Sequence, residues 1–339
     1  MEQPMREAGG APPTLEDVAR AAGVSRATVS RVVNGGTLVS SDTVRVVSEA
    51  IDALGYKPNR AARALVTNKA QAVAVVVTET DDRVFSDPFF PQSYHGALHA
   101  FRGMEVQVLL AMAQPGESPG QMTRYLHSGH IDGAIVVSHH GPELAKRLVS
   151  SRQPVVFVGD PEVPGLPYVD LDQHAASVAA TRHLIGRGAQ RIATITGPQD
   201  MRAGVQRLAG FVAAMTEAGL PPAAVAHGDF TVRGGEDAAR ELLVSAPDVD
   251  AVFVASDLMA LGAVRTLQAA GRRVPDDVAV VGFDDSSAAL QSSPQLTTMT
   301  NPASELTRLA AEMLKQLLDG APSPEPVILC SRLVVRDSA

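Results

Sequence analysis

Apolar residues recur at two different spacings along this chain. Between Leu15 and Leu54 they fall three or four apart, the period of one face of a helix. Leu15, Val18, Ala19 and Ala22 make a first run, with Thr14 ahead of it as an N-cap and Asp17 three residues on, a capping box with Asp in place of Glu. Gly23 ends it, since glycine enters the left-handed region without a Cβ clash. Ser25 caps a second helix, whose Val29, Val32 and Val33 can pack on Val18 and Ala22, and Asn34-Gly35-Gly36 stops it. A third begins after Ser40-Ser41, carries Val44, Val47, Ile51 and Leu54 on one face, and ends at Gly55.

Beyond Lys69 the rhythm changes to short, continuous β-branched runs separated by helix-like stretches. Candidate strands are AVAVVV (72–77), VQVLLA (106–111), GAIVV (133–137), PVVFVG (154–159), IATITG (192–197), AVFVAS (251–256) and VAVVGF (278–283). Helical segments fall near 94–102, 119–127, 142–151, 174–187, 205–218, 234–245 and 257–270, and a last one at 304–318 has Leu306, Leu309, Ala310, Met313, Leu314 and Leu317 on one face. Uninterrupted apolar strands alternating with helices predict parallel sheets covered on both faces, and seven strands in two groups predict two doubly wound subdomains.

Composition narrows the class. At 339 residues and 45% hydrophobic, the chain can hold about two domains with ordinary cores. Its one cysteine, Cys330, excludes an intrachain disulfide and fits a reducing compartment. Residues 1–13 lack an apolar signal core, and no run reaches the ~18 apolar residues of a membrane span, so a cytoplasmic protein with no membrane role is expected. The net charge is -8, yet residues 14–69 carry eight Lys/Arg against five acids, a balance of +3 that leaves -11 on the rest. A basic head on an acidic body points to an anionic partner for the head alone.

Two short helices joined by a tight turn form a helix-turn-helix pattern. The second exposes Arg26, Ala27, Ser30 and Arg31, and such a helix can enter a major groove, where Arg31 can bond guanine O6 and N7 together. Ser25, Thr28 and Asn34 are short donors suited to phosphates; Thr14, Ser40, Thr43, Tyr56 and Asn59 complete the candidate phosphate contacts. A three-helix bundle that binds protein is the other reading of the same spacing. In the following YKPNRAARAL (56–65), Pro58 can start a helix, but Asn59–Leu65 is too short for a stable isolated one; Arg60 and Arg63 suit phosphates, and Leu65 has the chemistry of a minor-groove wedge, or the segment is a plain linker.

In doubly wound folds ligands sit beyond the carboxyl ends of strands. Those loops here carry Asp87-Pro88-Phe89-Phe90, Ser138-His139-His140, Gly159-Asp160, Gly197 with Arg207 ten residues on, Ser256-Asp257 and Asp284-Asp285. Acids with an arginine and hydroxyls fit a polyhydroxyl ligand; the same acids also suit helix N-caps, Asp257 among them, and the two phenylalanines suit either ligand stacking or core. Paired carboxylates also serve glycosidases, but no nucleophile motif, phosphate loop or metal set accompanies them, so neither enzyme activity nor a cofactor is expected. Adjacent His139 and His140 rarely converge on one ion, so no metal site is expected.

The residues T-L-x-D-V-A-x-x-A-G-V-S-x-x-T-V-S-R-V-V-N, V-S-x-x-T and G-Y-x-P-N-x-x-A-x-x-L, from Thr14 to Leu65, resemble the head and hinge of the lactose-repressor/galactose-repressor (LacI/GalR) family. DPFF, IDGAIVVS, PVVFVG, HLIGRGAQRIATITGP, RLAGF, the stretch from VFVASDLMALGAVRT to VAVVGFDD, and PQLTTMTNP resemble its effector-binding core. The resemblance implies an N-terminal all-α helix-turn-helix head plus an α/β periplasmic-binding-protein-like core of two doubly wound parallel-sheet subdomains. It implies that Arg26 and Ala27 choose the operator, Arg31 reads a shared base and Leu65 intercalates. Phe89, Arg207, Phe230, Ser256 and Asp284 would line the effector cleft, with Phe90, Ser138 and Asp160 as further candidates. Gly159 stands where many members carry Asp, and Ser256 where some carry Asn; Asn301 and Ala303 also depart from common members.

The expected organisation is a disordered arm (1–13), a DNA-binding domain (14–57), a hinge helix and linker (58–69) and an effector and dimerisation core (70–339). Subdomain one would take about 70–160 and 297–322, subdomain two about 161–296 and 323–337; the resemblance sends the last helix to the first subdomain and the RLVV strand to the second. No leucine-heptad tail follows Val335, which argues for a homodimer. The expected function is transcriptional regulation, most simply repression, of a palindromic operator on double-stranded DNA under a small carbohydrate effector; the alternative is a cytosolic sugar-binding receptor without a DNA role.

Overall fold

The computed structural model describes residues 13–33, 39–56, 69–113, 119–151 and 153–339. The chain divides into two compact units, 1–70 and 71–339.

Among the described residues the first unit is three helices, α1 (Leu15–Ala22), α2 (Arg26–Val33) and α3 (Ser41–Leu54). Each start is fixed by a hydroxyl. Thr14 Oγ1 accepts from Asp17 N–H, while Asp17 Oδ2 accepts from Thr14 N–H at 2.9 Å, closing the capping box. Ser25 Oγ accepts from Thr28 N–H at 3.1 Å and Ser40 Oγ from Thr43 N–H at 3.3 Å. Gly23, at φ 66°, turns the chain from α1 to α2 in a conformation a β-carbon would resist. Val18, Ala22, Val29, Val47, Ala50 and Tyr56 form the core. On α3 the buried stripe centres on Val47 and Ala50, while Val44 and Leu54 are exposed. The helix stop at Asn34, the hinge from Asn59 and the wedge candidate Leu65 lie outside the described residues.

Among the described residues the second unit is built on two six-stranded sheets. One has the order β11-β5-β4-β3-β1-β2, with β1 (Ala72–Val77), β2 (Gln107–Met112), β3 (Gly133–Val137), β4 (Val155–Val158), β5 (Tyr168–Leu171) and β11 (Val327–Leu329). The other has the order β12-β10-β9-β8-β6-β7, with β6 (Ile192–Thr196), β7 (Val225–His227), β8 (Ala251–Val254), β9 (Ala279–Asp284), β10 (Thr297–Thr300) and β12 (Leu333–Val334). All pairings are parallel except β10 with β12. The apolar runs are continuous because both faces are covered. On the second sheet Ile195, Val252, Val254 and Val280 face one helix layer, and Ile192, Phe253, Val281 and Phe283 face the other.

All seven expected strands form. RLVV, the strand the resemblance implies, forms as well, and four more do not stand out in the sequence, being three or four residues long, as in YVDL and TTMT. They move the subdomain boundaries. β5 belongs to the first sheet, so the first crossing follows Leu171 rather than residue 160. β10 belongs to the second sheet, so the return begins with the helix Ala303–Leu318, not at 297. β11 then joins the first sheet, and the last crossing falls between Leu329 and Leu333. The helix Ala303–Leu318 buries Leu306, Ala310 and Leu314 in the first subdomain's core, and RLVV ends as β12 in the second.

Candidate functional site

In the head, α2 leaves Arg26, Ala27 and Arg31 exposed. Arg26 Nε meets Glu16 Oε1 of α1 at 2.8 Å. Thr14, Ser25 and Ser40 are exposed at helix starts, with Thr28 and Thr43 half-buried beside the last two, and their oxygens pair at 2.8 Å (Ser25–Thr28) and 2.9 Å (Ser40–Thr43). Helix N-termini carry outward N–H groups and the positive end of the helix dipole, so these starts favour anions. Tyr56, a candidate phosphate contact, follows the Gly55 turn, is 7% exposed and packs in the head's core. Asn34, Asn59 and Leu65 lie outside the described residues.

In the core, the carboxyl ends of both sheets converge on a cleft holding about 750 Å³ free of protein atoms, its open mouth included. Six of the eight expected residues line it: Phe89, Ser138, Arg207, Phe230, Ser256 and Asp284. Phe90 does not. The helix Phe89–Ala100 starts at the pair rather than after it, which turns Phe89 to the cleft and buries Phe90 in the core, edge-on at 5.4 Å between centroids. Asp160 also lies outside the cleft wall; its Oδ1 accepts from Glu162 N–H at 2.8 Å and its Oδ2 lies 3.7 Å from Arg202 Nε.

Arg207 organises the floor. Its Nε donates to Gln173 Oε1 at 2.9 Å and its Nη1 to Ala255 O at 2.6 Å; Nη1 also lies 3.6 Å from Asp284 Oδ1. The guanidinium sits 3.6 Å from the Phe283 ring centroid. Burial pulls its pKa below the usual arginine range, against the opposing pull of Asp284 and other acids. Burial likewise raises Asp284, with Arg207 and an N–H from Asn301 Nδ2 at 3.0 Å opposing it. Asp257 is not the N-cap: Ser256 Oγ caps the helix Asp257–Ala269 through Met259 N–H, while Asp257 is wholly buried, bonded to Thr298 Oγ1 at 2.6 Å and Ser286 N–H at 2.8 Å. Burial and the neighbouring Asp284 charge raise its pKa.

Three cleft residues hold positive φ without being glycine: Ser138 at 63°, Phe230 at 66° and Asp284 at 112°. Such backbone costs about 1–3 kcal/mol apiece and collects where side chains must be aimed. Gly197 accommodates one of them, since a β-carbon there would lie 2.2 Å from the Phe230 ring.

The cleft also takes Arg83, Asp170 and Gln173, which the sequence does not point to, together with Asp87 and His139 of the strand-end loops and Asn301, at a position where the resemblance implies an effector contact. Arg83 lies on a helix, Asp81–Ser86, whose one buried apolar residue, Val84, gives no periodic signal. Burial pushes Asp87 up to about 6 and lowers His139, which stands edge-on to Phe157 at 5.4 Å. Arg83 Nε and Asn301 Oδ1 are buried with no hydrogen-bond partner.

This head and cleft have known counterparts. The description of bacterial regulatory proteins of the lacI family matches residues 14–59, and that of a periplasmic binding protein-like domain matches 181–339. The HTH-type transcriptional regulator CelR of Thermobifida fusca is 45% identical over 336 residues, 96% of this chain and 98% of that protein. The ribose operon repressor of Escherichia coli K12 is 34% identical over 317 residues, 89% of this chain and 92% of the repressor. Among solved structures, a CelR–cellobiose complex is 42% identical with a TM-score of 0.76, covering 96% of this chain and all of that one. A lac repressor dimer bound to operator and the anti-inducer ONPF is 27% identical with a TM-score of 0.87, covering 97% and 99%. Related from end to end to such regulators, the chain belongs to the lacI family of bacterial regulatory proteins.

Proposed function

We propose that this DNA-binding transcriptional regulator holds a neutral carbohydrate, a glucose disaccharide such as cellobiose, in the core cleft, and that the sugar sets its grip on a palindromic operator. One observation carries the ligand class: among the described residues, two that line the cleft each hold a buried polar atom without a hydrogen-bond partner, the donor Arg83 Nε and the acceptor Asn301 Oδ1. A hydroxyl donates and accepts, so a polyol answers both, and buried polar groups are otherwise expected to be bonded. Phe89 and Phe230 supply apolar rings for the C–H faces of a sugar. The CelR–cellobiose complex is the neighbour that supports the disaccharide.

In this reading Arg26, Ala27 and Arg31 meet base edges in the major groove. Thr14, Ser25, Thr28, Ser40 and Thr43 meet phosphates, and Leu65, Asn34 and Asn59 keep their expected DNA roles. Two heads on a twofold dimer read a palindrome, as the lac repressor dimer is bound to its operator. Tyr56 acts by closing the head's core, Phe90 by packing behind Phe89. A sugar with unequal affinity for two cleft arrangements shifts operator affinity by about 5–150-fold, the ordinary range of coupling. A sugar receptor without a DNA role does not account for the lacI-family head at 14–59.

The test is fluorescence anisotropy of the full chain on palindromic duplexes drawn from its own upstream region, with and without cellobiose. Salt-resistant preference for a palindrome over random duplex, shifted by cellobiose, is expected. Equal binding to both duplexes sinks the operator reading, and a preference that no disaccharide moves sinks the effector reading.

A further inference from the structure

Glu79 follows β1 at the carboxyl edge of the first sheet, and only 8% of it is exposed. Its Oε1 gathers three partners: Ser138 Oγ donates at 2.5 Å, Arg83 Nη1 at 2.6 Å, and His140 Nε2 lies at 3.1 Å. Burial alone would raise this carboxyl, but His140, Arg83 and Ser138 together outweigh it and hold Glu79 below the usual range. Arg83 and His140 then each reach the other subdomain. The Arg83 guanidinium lies 5.1 Å from the ring centroid of Phe230, and its Nε is the unpartnered donor of the cleft wall. His140 Nδ1 lies 2.9 Å from Asp200 Oδ2, beside a bond of 2.7 Å from Gly141 N–H to Asp200 O.

We propose that Glu79 is a positioning residue for effector-linked closure, holding Arg83 against the sugar site and His140 against Asp200, so that one carboxylate links the filling of the cleft to the closing of its mouth. The link to the sugar rests on the effector reading above; the hold on the mouth does not. Arginine and histidine side chains have several rotamers, and a fixed anion removes the entropy of choosing among them each time the cleft closes. A second tie across the mouth, Arg202 to Glu162 at 3.3 Å and to Asp160 at 3.7 Å, does not involve Glu79 and serves as an internal control.

The experiment uses the full chain with Glu79→Gln, Asp200→Asn and both. Gln keeps the volume and an acceptor for Ser138 while removing the charge. Hydrogen exchange without sugar reads the Gly141 amide, whose bond crosses the mouth. Each single variant is expected to speed it about fivefold or more, the lower end of ordinary coupling, and the double variant no further. Glu79→Asp, which retains the charge, restores part of the protection; Arg202→Gln speeds exchange independently, so its effect multiplies with that of Glu79→Gln. A Gly141 amide unchanged in Glu79→Gln, or effects of Glu79→Gln and Asp200→Asn that multiply, overturns the proposal. Should Glu79→Gln not fold, His140→Gln is read in the same way. Calorimetry with cellobiose on the same proteins separates the two readings: wild type that ignores the sugar sinks the effector, while the exchange result stands or falls alone.

Discussion

Arg207→Met removes the guanidinium and keeps most of the stem. Two hydrogen bonds, to Gln173 Oε1 and Ala255 O, vanish, and Asp284 loses the cation 3.6 Å away in a site where Arg207 is 4% exposed. Breaking a buried charge pair from one side costs about 3–5 kcal/mol. Asp284 keeps the Asn301 bond and is already biased toward its neutral form, so the lower half of that range is expected. At about 2–4 °C per kcal/mol for a domain of this scale, melting should fall by about 6–16 °C. A sugar hydroxyl meeting Arg207 would lose a charge-assisted bond of about 1.5–3 kcal/mol, or about 10–150-fold in cellobiose affinity. The head has its own core and is a separate compact unit, so operator binding well below the melting point should persist. Scanning calorimetry, isothermal titration with cellobiose and operator anisotropy measure the three effects. A wild-type cellobiose isotherm in a folded variant would refute the role given to the cleft floor.

Arg31→Ala should weaken specific operator binding by about 1–3 kcal/mol and relax preference at one base pair while sparing random duplex; equal losses on both duplexes would move Arg31 to the phosphates. Asp87, raised to about 6 chiefly by burial, sits above its ordinary 3.8, so its contribution to folding is fully present below the ordinary value and declines as pH rises toward 6. As an acceptor for sugar hydroxyls it works when ionised, so cellobiose affinity should rise across that pH, and a Glu79-intact Asp87→Asn variant should show a flat profile; an unchanged slope in that variant removes Asp87 from sugar binding.

The parts of this protein that announce themselves in sequence are those governed by short-range rules. Thr14, Ser25 and Ser40 are capping hydroxyls whose positions follow from the apolar period behind them, and AVAVVV or GAIVV can be little else than buried parallel strands. The parts that stay hidden depend on pairing at a distance. TTMT forms β10 because β9 and β12 lie on either side of it, and YVDL becomes β5 because β4 and β11 do. Those two strands decide where the chain crosses, so the first crossing lies after Leu171 and not at the 160 that the long apolar runs suggest. The cleft divides in the same way. Strand-end loops pointed to Ser138, Arg207, Ser256 and Asp284, whereas Arg83 and Glu79 gain meaning only when the helix Asp81–Ser86 is seen turning one against the other. Phe89 and Phe90 were inseparable by spacing, because only the helix start distinguishes two neighbours 100° apart on its surface.

Charge matching in the cleft bears on what kind of ligand it accepts. Among the described residues three arginines line it, and each has an acid in place: Arg83 has Glu79, Arg207 has Asp284, and Arg202 has Glu162 and Asp160. The remaining wall acids, Asp87 and Asp170, are held by N–H donors from Phe89, Asp160, Leu171 and Gln173, and burial raises both. An anionic effector that drew Arg83 or Arg207 away would leave Glu79 with only Ser138 and His140, or Asp284 with only Asn301, each buried acid short of its arginine, a loss set against any bond gained. A cation would meet acids already biased toward their neutral forms. A neutral polyol disturbs neither balance: its hydroxyls can accept from Arg83 Nε, donate to Asn301 Oδ1 and share the outer lone pairs of Asp87 and Asp284, while its apolar faces lie on Phe89 and Phe230. The cleft therefore selects by leaving its charges paired, and the affinity that remains comes from hydroxyl geometry and ring contact, the two features by which one sugar differs from another.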